Sequence, residues 1–476
     1  MACKSVIKVR FRSQTMFGDM QLSKGNGPIY RRIADALASA IADGRFAPGE
    51  RLPPQRQIAQ EAGVNLTTIT RAFADLQERG LVDSKPGRGS IVADRRDRPS
   101  RFKSSTSDEQ GFVDLSVNRP ATMGYLEALA RVLPKMPNDP RYEALQDFHA
   151  PEGPLWAREV VGGWFAALAG LADMRNVVVT NGAQHALACA LGAITRPGDA
   201  MLCDAVTYQG ISALCRSLGL QPVPIAMDDE GMRPDALAQA CRSIRPRAVF
   251  LVPTLHNPTT VTLSAERRRE IETVARAGGM LIIEDDVYRA LKPDAPESFA
   301  SFAPDITIHI GSLSKCVAPG LRLGVVFAPP QVAADIAAML RIDCWSTSPL
   351  AALVAARLIE DGHADRIIAG QRAEFAVRQR LVRDVLAGLD VATDEDSTHA
   401  WLRLPEPWRV GAFVRACAQQ GVGVLSGEAF AVSRDIAPHA VRINVGAARS
   451  REEHTGALRT IGEILSGNSK LLDVAM

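Results

Sequence analysis

The chain has 476 residues, long enough for two or more packed units, and its 46% hydrophobic and 23% charged content excludes a wholly disordered or fibrous protein. The net charge of +2 hides an asymmetry: residues 1–103 hold 19 Lys/Arg against 10 Asp/Glu, a balance of +9, so the remainder carries −7. A basic front on an acidic body fits a nucleic-acid-binding module attached to a separate globular unit. Eight cysteines run from Cys3 to Cys417 without a CxxC pair or metal-like spacing to a histidine, so reduced thiols, a cytoplasmic location and no metal are expected. The longest apolar run, Val160 to Ala172, is 13 residues, too short to span a membrane.

Residues 1–27 form an N-terminal arm without a clear period. Apolar residues at Ile29, Ile33, Ala36, Leu37, Ala40 and Ile41 then recur at helical spacing, and Gly44 supplies a stop. A second helix re-enters after Pro53 and Pro54 and ends at Gly63. Asn65 can cap a third, whose buried side is expected to be Ile69, Ala72, Phe73 and Leu76, leaving Thr67, Thr68, Thr70 and Arg71 free to face DNA. LVDSKPGRGSIVA reads as two short strands around a turn with Arg88 at its tip, the shape of a wing. Residues 94–110 are polar and charged, cannot bury themselves, and read as a linker, spanning about 20 to 25 Å as a coil.

From residue 111 the runs VVVT, AMLC, AVFLVP, MLIIED, ITIHIG and LGVVFA alternate with helical stretches, as strands buried on both faces of a mainly parallel sheet do. After about residue 385 a mixed pattern reads as a smaller subdomain to residue 466, with 467–476 a tail.

Three helices and a basic hairpin are a recipe for reading a major groove while a wing tracks phosphates. Residues 28–93, with the run GERLPPQRQIAQEAGVNLTTITRAFADLQERGLVDSKPGRGSIV, resemble the GntR-type winged helix-turn-helix. The resemblance implies that Arg56 contacts the phosphate backbone, that Thr67, Thr68 and Arg71 lie on the recognition helix, and that Arg88 approaches the minor groove. Leu66 departs from the pattern, standing in a slot that is often basic in the family.

A second set of residues points to carbonyl-cofactor chemistry. Lys315 in GSLSK follows an apolar run, and a lysine at a buried strand end can form a Schiff base if its pKa is lowered. Asp285 ends another such run and can pair with a protonated pyridine nitrogen; Tyr288, three residues on, and Asn257 in LHNPTT can reach a ring hydroxyl. NGAQHAL, from Asn181, opens a helix whose amides can cradle a phosphate, and Arg322 adds a fixed positive charge. This series resembles the fold-type I, class I and II aminotransferases over residues 111–466, implying an α/β fold with a large, mainly parallel seven-stranded sheet and a small C-terminal α+β subdomain. By that resemblance pyridoxal 5′-phosphate is held by Lys315, Asp285, Asn257 and Tyr288. Tyr208 stacks on its ring, Ala183, Gln184, Ser312 and Arg322 hold the phosphate, and Arg442 grips an α-carboxylate. Phe148 departs from the family, which usually has a tyrosine there that reaches the neighbouring subunit's cofactor.

The fusion as a whole resembles the MocR subfamily of GntR-type regulators. That implies a homodimer, double-stranded DNA with two half-sites or repeats as partner, and an amino-acid-like effector that reacts with the cofactor linkage or binds beside it. Two alternatives stay open: a working aminotransferase with an accessory DNA-binding domain, and a sensor of vitamin B6 itself.

Overall fold

A computed structural model describes residues 29–42, 45–47, 49–78, 81–85, 89–92, 111–121, 123–173 and 176–467. The arm, the linker, the last nine residues, Gly44 and Arg88 lie outside the described residues. The chain divides into two compact units, residues 1–106 and 107–476.

The first unit contains α1 (Ile29–Ala42), α2 (Gln55–Ala62), α3 (Leu66–Glu78) and the antiparallel pair β1 (Val82–Lys85) and β2 (Gly89–Val92). Ile33, Leu37 and Ala40 of α1 are buried with Ile58 of α2 and with Ile69, Ala72, Phe73 and Leu76 of α3, so the helical spacing in the sequence marks the core. Ile29 departs from that expectation: at the first position of α1 it is 38% exposed, and Ala34 joins the buried stripe instead. Gly63 ends α2 at φ 63°, its N–H returning to Ala59 and Gln60 carbonyls, a left-handed cap that glycine adopts without a Cβ penalty. Asn65 caps α3 as expected, its Oδ1 accepting from the Thr67 N–H at 3.4 Å. Arg51 bridges Ile91 and so ties the hairpin back to the turn before α2.

The second unit is built on a sheet of seven strands among the described residues, in the order Val177–Thr180, Gly324–Phe327, Thr307–Ser312, Leu281–Asp285, Ala248–Leu251, Ala200–Asp204, Gln221–Ile225. All run parallel except Gly324–Phe327, which is antiparallel to both neighbours. Val177–Thr180, Ala248–Leu251 and Thr307–Ser312 are buried throughout, which is why they read as continuous apolar runs and not as alternating ones. A smaller antiparallel sheet orders Val391–Ala392, His399–Arg403, Ala440–Asn444 and Leu425–Ser426, beside the helices Val410–Gln419 and Arg451–Leu465. A short strap, Val113–Asp114, pairs in parallel with Val422–Gly423. Among the described residues no helix is long and apolar enough to cross a membrane.

Candidate functional site

In an open parallel sheet, connections at the carboxyl ends of the strands converge on one crevice. Thr180 leads to Gly182, Leu251 to Asn257, Asp285 ends its strand, and Ser312 leads to Lys315. The antiparallel strand starts where its neighbours end, Gly324 pairing with both Thr180 and Ser312, so Arg322 arrives at the same edge. Arg442 and Asn444 lie two positions apart on the central strand of the small sheet and therefore share a face.

Arg442 is buried, its Nη1 donating to Asn257 Oδ1 at 2.9 Å and its Nη2 to the Ser116 carbonyl at 2.6 Å, with the guanidinium 5.0 Å from the Phe430 ring centre. A guanidinium can only donate, so the Asn257 oxygen is taken and its Nδ2 is left to donate elsewhere. Tyr208 donates to Gln184 Oε1 at 2.8 Å. Gly182, at φ 83°, precedes the helix Ala183–Ile194. A Cβ there would stand 3.1 Å from Arg322 Nη2, so glycine leaves the guanidinium room beside the helix N-terminus. Ser312 is buried, with its hydroxyl 3.1 Å from both the Leu323 carbonyl and Ser314 Oγ, and Ser314 Oγ faces Arg322 Nη1 at 3.4 Å.

The electrostatics follow from burial. Loss of water, with Arg442 nearby, pushes the Lys315 amine down to about 8, against the pull of Asp285. Burial and the adjacent Asp286 raise Asp285 to about 7. Asp285 Oδ1 and Arg442 Nε are buried without a hydrogen-bond partner among the described residues. A buried carboxyl with one oxygen unpaired, an amine held near neutrality, an unpaired guanidinium N–H and a glycine-preceded helix N-terminus fit the pyridine nitrogen, aldehyde and phosphate of pyridoxal 5′-phosphate and the carboxylate of an amino acid.

Asn118, which the sequence does not single out, lies at the centre of this group. Its Nδ2 is 2.6 Å from the Tyr288 hydroxyl, its Oδ1 accepts from Thr398 Oγ1 and Asn444 Nδ2 at 2.8 and 3.0 Å, and its carbonyl accepts from Lys315 Nζ at 2.7 Å.

The fold also gathers His185, Asp343 and Cys344, within 4.8 Å of one another, which sequence spacing does not foreshadow. His185 Nδ1 accepts from the Asn181 N–H at 3.1 Å, so the proton of the neutral ring sits on Nε2, 3.1 Å from Asp343 Oδ2. That geometry makes the ring a donor to the carboxylate.

In the first unit Arg56 is exposed in the first turn of α2; Thr67 and Arg71 are exposed on α3 and Thr68 is half-buried. Thr70 is exposed as well, with its hydroxyl 3.1 Å from both Gln55 Oε1 and the Leu66 carbonyl, tying α3 to α2. Leu66 is 37% exposed.

Residues 113–461 match the family Aminotransferase class I and II, and residues 29–92 match Bacterial regulatory proteins, gntR family. The HTH-type transcriptional regulator YdeF of Bacillus subtilis, itself uncharacterized, is 30% identical over 455 residues, 96% of this chain and 98% of that one. The chain belongs to the MocR-type GntR regulators. The vitamin B6 salvage pathway transcriptional repressor PtsJ of Salmonella typhimurium is 28% identical to this MocR-type chain over 90% of it and 97% of the relative. Among solved structures, the multiple substrate aminotransferase of Thermococcus profundus covers 76% of this chain and 92% of its own at 22% identity and a TM-score of 0.70, a likeness of fold. A DNA-binding module is thus fused to a fold-type I, pyridoxal-phosphate-binding domain.

Proposed function

We propose that this MocR-type chain couples the state of a cofactor held at Lys315 to DNA binding by the winged helix-turn-helix, in response to an amino-acid-like effector. The observation that carries the reading is the convergence of Lys315, Asp285, Tyr288, Asn257 and Arg442 on one crevice in a chain that also bears a reader module. Bound at Lys315, pyridoxal 5′-phosphate would supply an electron-withdrawing ring and a carbon–nitrogen double bond exchangeable with an incoming amino group.

The protein's own residues do the rest. Asp285 holds the ring nitrogen protonated, and Asn257 Nδ2 and Tyr288 donate to the ring oxygen. Tyr208 stacks on the ring. Ala183 and Gln184 amides, Ser312 and Arg322 bind the phosphate. Arg442 receives the effector's carboxylate through its unpaired Nε, while Nη1 and Nη2 keep it anchored to Asn257 and the Ser116 carbonyl. Arg56, Thr67, Thr68, Arg71 and Arg88 engage DNA.

A homodimer is part of the reading. Phe148 is 88% exposed, its ring centre 5.5 Å from that of Trp345 in a tilted contact, with Ile342 79% exposed near the same helix end, an apolar surface that a second copy would cover. Two DNA half-sites and a cytoplasmic setting go with it. A narrower reading, in which vitamin B6 itself is the signal, is favoured by the likeness to PtsJ.

The test is the visible absorption spectrum of the purified protein with the cofactor and its Lys315→Ala variant, followed by titration with amino acids. A lysine-dependent band, shifted by one amino acid without sustained keto-acid release, is expected. A missing band would sink the cofactor reading, and steady turnover without any effect on DNA would mean an enzyme.

A further inference from the structure

The hydrogen-bond network around Asn118 leaves one assignment of its amide. The Thr398 backbone carbonyl can only accept, so the Asn444 atom 2.7 Å from it is the NH2 group. The second N–H of that group reaches Asn118 at 3.0 Å, which makes the Asn118 atom there the oxygen. The remaining Asn118 atom, 2.6 Å from the Tyr288 hydroxyl, is therefore an NH2 donor, and the hydroxyl oxygen is its acceptor. Tyr288 is buried, and among the described residues its hydroxyl has no hydrogen-bond partner other than this amide. Its own proton must then point away from Asn118, and the charged and titratable groups that act on it there are Arg442, Asp285 and Tyr208.

We propose that Asn118 is a positioning residue of the cofactor site: by donating to Tyr288 it turns the Tyr288 proton toward the ring oxygen of a pyridoxal-type cofactor. Asn257 Nδ2 is freed for the same oxygen by the same logic, because Arg442 occupies its Oδ1. The two donors are thus set by partners outside the ring, one from the strap side and one from the small sheet.

The inference rests on the cofactor reading above and deepens it. A donor at the ring oxygen stabilises its negative charge and so eases loss of the proton shared between that oxygen and the cofactor-linked lysine nitrogen. Removing the Asn118 amide lets the Tyr288 hydroxyl rotate, weakening that donation. The other charged and titratable groups around the pair, Asp285, Arg442, Arg322, Tyr208 and His399, are untouched by the substitution.

The experiment follows the visible band of the cofactor-loaded full chain against pH in wild type, Asn118→Ala, Asn118→Leu, Tyr288→Phe and the double variant with Ala. Leucine keeps the side-chain volume, so the fold does not depend on tolerating a gap. The midpoint is expected to rise by about half to one pH unit in both Asn118 variants, and not to rise further when Asn118→Ala is added to Tyr288→Phe. An unmoved midpoint, a shift that persists in full without the Tyr288 hydroxyl, or loss of the band in both Asn118 variants would each overturn the proposal. A wild-type chain with no band would instead sink the cofactor reading beneath it.

Discussion

Lys315 Nζ donates to the backbone oxygen of Asn118 at 2.7 Å, joining residues 197 positions apart. The amine is thereby held beside Asn118 until it attaches a carbonyl compound, and that bond is given up when it does. Only the neutral amine attacks, and burial with Arg442 brings its value from 10.5 to about 8. The rate of cofactor uptake, read from growth of the visible band, should rise with pH through about 8. A rate still climbing at the midpoint of an ordinary lysine would show that the site does not tune it.

Asp285 gives a stability test with two opposite signs. Its folded value is raised from 3.8 to about 7, so the fold holds this proton more tightly than the unfolded chain does. Stability is then lost as pH rises between those values, and the penalty is complete above the upper one. Asp285→Asn should stabilise the cofactor-free protein at mildly alkaline pH by on the order of 2 to 4 kcal/mol, with the gain shrinking toward acid. The same variant should release the cofactor more readily, because the ring nitrogen loses its anionic partner. Thermal melts with and without cofactor measure both effects.

Arg442 sets the expected chemistry of the effector. Lysine in its place keeps the charge but loses the planar fork. Arg442→Lys should weaken the response to an α-amino acid by about tenfold to a hundredfold, while a simple amine without a carboxylate should titrate both proteins alike. Equal loss for both ligands would mean that the residue only shapes the pocket.

The residues that carry local signals were legible in the sequence. Helical spacing marks Ile33, Leu37, Ile69 and Phe73 as core, and Lys315, Asp285 and Asn257 follow apolar runs that fold as buried strands. Asn118, Thr398 and Asn444 were not, because nothing near them in the chain is unusual; the bonds that join them to one another and to Tyr288 span 46 to 326 positions. The edge strand Gln221–Ile225 escaped for a different reason. Pro222 and Pro224 break its pattern, and the fold tolerates them because the strand has a neighbour on one side only. Thr70 is exposed as its spacing implies, but its contact with Gln55, 15 positions away, was not legible.

On DNA, Arg56 and Arg71 are exposed cations. Replacing either with alanine should weaken binding across all sequences and reduce the slope of log affinity against log salt by about one each. Thr67→Ala should instead alter which duplexes are preferred. Binding assays on a duplex selected from a random pool, repeated over a range of salt, separate the two behaviours.

The decisive measurement is the affinity of the cofactor-loaded protein for that duplex, with and without each amino acid, while keto acid is assayed in the same samples. One amino acid is expected to change the affinity by at least about fivefold as it shifts the visible band, with no sustained keto-acid release, and Lys315→Ala should bind DNA but lose the response. An affinity indifferent to cofactor, amino acid and Lys315, accompanied by steady keto-acid production, would contradict a cofactor-dependent regulator.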